Sequence, residues 1–118
     1  MATFSAADPV VILSYARTPM GGLQGSLSSL PAAQLGAAAI AAAVQRAGVA
    51  GEDIDEALMG CVLPAGQGQA PARQAVLGAG LAQSVPSTTV NKMCGSGMKA
   101  LMLGHDLLLS GNSQVVLA

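Results

Sequence analysis

S-T-T-V-N-K-M-C-G-S-G-M-K-A-L, Ser87 to Leu101, packs a strand, a sharp turn and the start of a helix into one short stretch. Ser87–Met93 is rich in β-branched residues and reads as a strand. Gly95 and Gly97 let the backbone bend straight after Cys94. A helix then runs through Leu109 and is stopped by Gly111. Ser113–Ala118, S-Q-V-V-L-A, is a further strand. A strand, a crossover helix and a second strand imply a parallel pair with right-handed connection.

Working outward, the same alternation extends to the start of the chain. Pro9–Ser14, P-V-V-I-L-S, is a continuous apolar run of the kind a doubly covered strand shows. Ala16–Ser29 is a glycine-rich loop. Pro31–Ala47 reads as a helix with proline in its first turn and Gly48 just past its end. Gly51–Glu56 is an acidic turn, Ala57–Leu63 a strand, Ala65–Gln69 a loop, and Pro71–Leu77 a short helix. The predicted order is β-α-β-α-β-α-β, an α/β fold with a largely parallel sheet. Residues 1–8 are expected to form a flexible N-terminus. Three helices can hardly cover both faces of four strands, so further polypeptide is expected to pack on the sheet.

Composition narrows the classes. Charged residues are 9% of the chain and net charge is −1, with no basic stripe, so nucleic acid is not an expected partner. Residues Thr18–Gln45 carry no charge, but Pro19, Pro31 and several glycines and serines break any membrane span. The two cysteines have no metal-ligand spacing, and no secretory signal precedes them, which points to a reducing cytoplasm. Neither a metal nor another cofactor is expected.

Cys94 is the candidate with chemistry. A helix N-terminus presents unpartnered N–H groups and a positive dipole end, both of which favour thiolate over thiol. A cysteine so placed can act as a nucleophile. Ser96 is short enough to cap the helix. The competing reading is a small buried residue at a tight turn, because cysteine is often buried and such turns are common. Spacing alone leaves both open.

Three stretches bear on that choice: V-V-I-L-S-Y-A-R-T-P-M-G-G-L-Q-G-S-L-S, V-L-P-A-G-Q-G-Q-A-P-A-R-Q-A-V-L-G-A-G-L and V-N-K-M-C-G-S-G-M-K-A-L. In order and spacing they resemble the successive N-terminal motifs of the thiolase family, and within it the acetyl-CoA acetyltransferases. The resemblance implies that 1–118 is a partial N-terminal domain, an incomplete half of a five-layered α-β-α-β-α fold. It implies that Cys94 carries an acyl group taken from acetyl-CoA, and that a second acetyl-CoA condenses onto it to give acetoacetyl-CoA and CoA. Its expected partners are CoA thioesters, the remaining C-terminal part of the enzyme, and further copies in a homodimer or homotetramer. Thiolases carry later motifs that include a Gly-His-Pro segment and a second reactive cysteine in a Cys-x-Gly-Gly box; this sequence contains neither segment. A chain without them is expected to be inactive alone. Alternatives are a non-catalytic structural fragment, or a 3-ketoacyl-CoA thiolase or ketoacyl synthase of broader chain length.

The remaining polar and sulfur-bearing residues read as structural. His105 falls on a helix stripe with Met98, Leu101, Met102, Leu108 and Leu109 and is expected in a core or subunit contact. Cys61, within A-L-M-G-C-V-L, is expected as an inert core thiol. Arg17 and Arg73 are expected to pair with carboxylates or carbonyls. Gly66 and Gly68 match no phosphate-binding loop and serve a turn. Met93, Met98 and Met102 have the character to line an acyl pocket, but core packing is the default expectation.

Overall fold

The computed structural model describes residues 9–118. Helix α1 spans Ala32–Ala47, strand β1 Glu56–Gly60, helix α2 Pro71–Gly78, strand β2 Ser87–Val90, helix α3 Ser96–Ser110 and strand β3 Val116–Leu117. One 3-10 turn, Gly51–Asp53, precedes β1. The α/β class and the parallel sheet are as expected: β1 lies between β2 and β3 and pairs in parallel with both. The expected flexibility of residues 1–8 falls outside the described residues.

Small residues set how closely the layers approach. On one face of the sheet, Ala57 and Met59 of β1 meet α1 and α2 around Ile40, Ala75, Val76, Leu81 and Val85. Val76 and Val85 are the largest side chains wholly removed from solvent. Gly36 and Gly78 are where α1 and α2 come together: a β-carbon on Gly36 would lie 3.1 Å from the Ala75 methyl, and one on Gly78 3.2 Å from that of Ala37. On the other face, Leu58 is buried and Gly60 meets the first turn of α3, where Ala100 is also buried. An alanine-rich sequence thus buys its packing through proximity rather than side-chain bulk.

Side chains fix the connections. Thr89 on β2 accepts a hydrogen bond from the Ala72 amide at the start of α2, at 3.1 Å. Arg73 donates to the Val85 and Gln83 carbonyls, each at 2.7 Å, as its expected carbonyl-pairing role requires. The Asp55 carboxylate accepts from the Gln114 and Val115 amides at 2.7 and 3.1 Å, tying the approach to β3 against β1. Those two bonds, Gln114 first, hold the Asp55 carboxyl below its ordinary value of 3.8. Helix α1 stops where Gly48 takes φ +68°, and α3 where Gly111 takes φ +74°, as the sequence pattern predicts.

The expected first strand is a correction. Pro9–Ser14 joins no ladder; the segment lies along α1, held by the Ser14 hydroxyl donating to the Ala43 carbonyl at 2.6 Å and Arg46 donating to the Tyr15 carbonyl at 2.9 Å. Ile12 is 74% exposed. A strand needs a partner edge, and β3 contributes only two paired residues. Val10–Ala16, α1, α3 and the 114–118 segment instead line one open cleft of about 950 Å³. The other strands are shorter than predicted. β1 stops at Gly60, although the Cys61 amide still donates to the Val90 carbonyl at 2.9 Å. β2 stops at Val90 because the chain turns sharply just beyond it.

Candidate active site

The turn after β2 places Cys94 at the C-terminal end of a parallel sheet, immediately before the start of α3. In open α/β sheets that end is where ligands bind. Cys94 is exposed, and Gly95 stands at the N-cap. The Gly97 and Met98 amides, in the first turn of α3, have no hydrogen-bond partner among the described residues. Their N–H groups are the orphan donors that a helix start supplies. Lys92 is exposed and Lys99 half-buried on either side.

A network of short-range hydrogen bonds shapes this elbow. The Asn91 side-chain oxygen accepts from the Met93 amide at 3.0 Å, and its amide group donates to the Val62 carbonyl at 3.3 Å. The Ser96 hydroxyl donates to the Met93 carbonyl at 2.6 Å and accepts from the Lys92 amide at 2.9 Å. Between them Met93 adopts φ +47°, a left-handed conformation. For a side chain other than glycine that costs roughly 1–3 kcal/mol, and such strain persists where surrounding bonds over-determine it. Ser96 is buried and bridges the turn; it does not cap α3 as its size suggested, because Gly95 holds the cap position.

Gly60 completes the elbow's support from below. A β-carbon there would lie 2.6 Å from both the Gly97 nitrogen and the Ser96 carbonyl carbon, so only hydrogen fits. The first turn of α3 therefore rests directly on the β1 backbone.

Residues 10–118 match the thiolase N-terminal domain. The chain belongs to the thiolase family. It is 62% identical over 111 residues to mitochondrial acetyl-CoA acetyltransferase of Xenopus tropicalis, covering 94% of this chain and 26% of that protein. The human mitochondrial acetyl-CoA acetyltransferase is 55% identical over 109 residues, covering 92% and 26%. The cytosolic acetyl-CoA acetyltransferase of Gibberella zeae is 56% identical over 110 residues, covering 93% and 28%. The chain thus spans about a quarter of the length of these relatives.

Set against this thiolase N-terminal domain, several sequence expectations change. Neither cavity reaches Cys94: the 950 Å³ cleft touches α3 only from Gly97 onward, and a groove of about 600 Å³ lies between α1, α2 and Gly66–Gln67. His105 is exposed and pairs loosely with neighbouring Asp106 at 3.6 Å, so within this chain it is no core residue. Met93, Met98 and Met102 are likewise exposed, contrary to their expected core role. Cys61 lies just beyond β1, half-buried rather than in the core, and both cysteines are free. Arg17 is exposed and makes no hydrogen bond or ion pair among the described residues. Gly66 and Gly68 hold positive φ in the turn, as expected of turn glycines.

Sequence reasoning gave Asn91 and Gly60 no structural role and expected Met93 only as a packing residue. A glycine inside a strand pattern signals close approach of another backbone, and Gly60 carried that signal. The positive φ of Met93 leaves no mark on residue type.

Proposed function

We propose that the protein to which these residues belong is an acetyl-CoA C-acetyltransferase, with Cys94 as its acyl acceptor. The observation that carries the reading is an exposed cysteine held on a hydrogen-bonded elbow between the end of β2 and the start of α3. The relatives' names supply the substrate class, acetyl-CoA.

The chemistry follows from the thioester. The Cys94 sulfur, as thiolate, attacks the acetyl-CoA carbonyl; a carbon–sulfur bond forms to Cys94 and the bond to CoA breaks. CoA leaves as a thiolate and takes up a proton. A second acetyl-CoA then loses a proton from its α-carbon, and that carbon attacks the acyl group on Cys94. The products are acetoacetyl-CoA and a regenerated Cys94 thiolate. The thioester provides both the electrophile and the leaving group, so the reaction calls on no metal or redox cofactor. A base for the α-carbon must come from polypeptide beyond these residues, as must the walls of the substrate pocket. We therefore assign CoA thioesters, the remaining C-terminal part and additional copies, in a homodimer or homotetramer, as partners. Two free cysteines suit a reducing compartment, and our assignment is the cytoplasm, the compartment in the fungal relative's name, whereas the Xenopus and human relatives are named mitochondrial.

The test is an acetyl adduct. The full-length protein is mixed with acetyl-CoA, and the Cys94 peptide is examined by mass spectrometry for the added acetyl group. Full transferase activity in a Cys94→Ala or Cys94→Ser variant would remove the assignment. The chain by itself supports a second reading, a structural part without turnover, because it spans about a quarter of the relatives' length. Thiolysis of acetoacetyl-CoA by the isolated chain would contradict that reading.

A further inference from the structure

The residue before Cys94 sits in a conformation that methionine disfavours, φ +47°, and the whole stretch Asn91–Gly95 is exposed. Little burial holds this stretch in shape. Two side chains do. The Ser96 hydroxyl spends its one hydrogen on the Met93 carbonyl and a lone pair on the Lys92 amide, so it joins both flanks of the bend. The Asn91 oxygen takes the Met93 amide, while the other end of the same side chain grips the Val62 carbonyl beyond β1. Both peptide groups of Met93 are thereby bonded to side chains, and the second of them leads directly into Cys94.

We infer that Ser96 and Asn91 are positioning residues for acylation: they lock Met93 left-handed and so fix the direction in which the Cys94 backbone presents its sulfur. The inference rests on the reading of Cys94 as the acyl acceptor. Alanine cannot supply the donor and acceptor that the Ser96 hydroxyl combines. Without it, the Met93 carbonyl keeps only the backbone amide of residue 96 and the Lys92 amide loses its partner, so Met93 relaxes toward negative φ and the peptide entering Cys94 rotates. The sulfur remains present and accessible, but no longer in one attack geometry.

Single-turnover acylation separates this role from a purely structural one. A structural loss lowers the fraction of protein that reacts; misdirection lowers the rate constant of the fraction that does. Full-length wild type, Ser96→Ala and Asn91→Ala are mixed with saturating acetyl-CoA, quenched, and the acetylated Cys94 peptide is quantified. Ser96→Ala is expected to slow acylation by about 10-fold or more, with amplitude retained and the half-saturating acetyl-CoA concentration within about twofold of wild type. Asn91→Ala, at an exposed position, is expected to slow it by about fivefold, and it carries the test if Ser96→Ala does not fold. A wild-type rate constant in the folded variants, with reduced amplitude or none of these effects, overturns the positioning role while leaving Cys94 as acceptor. Absence of an acetyl adduct on wild-type Cys94 instead overturns the underlying assignment, and the positioning role falls with it.

Discussion

Gly60→Ala tests whether the elbow depends on backbone-to-backbone contact with β1. Gly60 does not use a left-handed φ, so alanine adds no conformational penalty there; the whole effect is steric. Its β-carbon would lie 2.6 Å from the Gly97 nitrogen and the Ser96 carbonyl carbon, and 2.9 Å from the Gly97 α-carbon. Ordinary contact begins at 3.4 Å, so the two backbones must separate by about 0.8 Å. All three obstructing atoms are backbone, and no rotamer change relieves them. Overpacking of this kind costs typically 1–3 kcal/mol. The first turn of α3 carries the displacement into Ser96 and the bend that presents Cys94. A misplacement near 1 Å can cost on the order of 100-fold in rate, so acylation is expected to slow by about 10- to 100-fold. The assay is single-turnover acetylation of Cys94 in the full-length protein, with a denaturation curve on the same sample. Gly104→Ala is the control. Its β-carbon would meet the Val116 side chain at 3.0 Å, well along α3 from the elbow, so acylation stays near wild type whichever way stability moves. An acylation rate for Gly60→Ala within about threefold of wild type would refute the claim that this contact positions the nucleophile.

Two further outcomes concern the scaffold. Because bonds from Gln114 and Val115 lower the Asp55 pKa in the folded protein, its contribution to stability is fully present above 3.8 and is lost as pH falls through the lower folded value. Asp55→Asn should therefore be less stable than wild type near neutrality and converge with it in acid; parallel stability curves down to pH about 2 would show that the carboxylate charge contributes nothing. Val76→Ala removes two buried methyl groups from a wholly enclosed site, so equilibrium denaturation should show a loss of about 2–3 kcal/mol. The neighbouring Leu77→Ala, at a position 42% exposed, should cost clearly less, and equal losses would contradict the assigned core.

Features encoded by local chemistry were legible before any coordinates. Gly48 and Gly111 end their helices where the apolar patterns of α1 and α3 run out, and the parallel sheet follows from strands alternating with helices. The position of Cys94 at a strand-to-helix junction was legible for the same reason. What was not legible depends on atoms distant in sequence or absent from this chain. P-V-V-I-L-S has the composition of a strand, but pairing is a property of two segments, and the neighbouring edge offers β3's two residues. The predicted strand Ser87–Met93 ends instead at Val90 because the Asn91 and Ser96 side chains divert the backbone, and no propensity reports a bond made by a neighbour's hydroxyl. Met98 and Met102 have the spacing of a core stripe, yet no described residue covers them.

These last departures have one physical cause, and it bears on the site. Helix α3 buries one side against β1 and β3 through Ser96, Ala100 and Gly104, and leaves Met98, Leu101, Met102 and His105 in the open. The exposed run at Val11–Leu13 lines the same cleft. Burying a large apolar side chain gains about 1.5–3 kcal/mol, so covering even a few of these positions outweighs the roughly 1–3 kcal/mol of strain at Met93. The elbow leads straight into the first residue of α3, so any displacement of the helix displaces the turn before it. The hydrogen bonds of Asn91 and Ser96 therefore set the local shape of the elbow, and on the proposed function its orientation toward a thioester depends also on whether the outer face of α3 is covered.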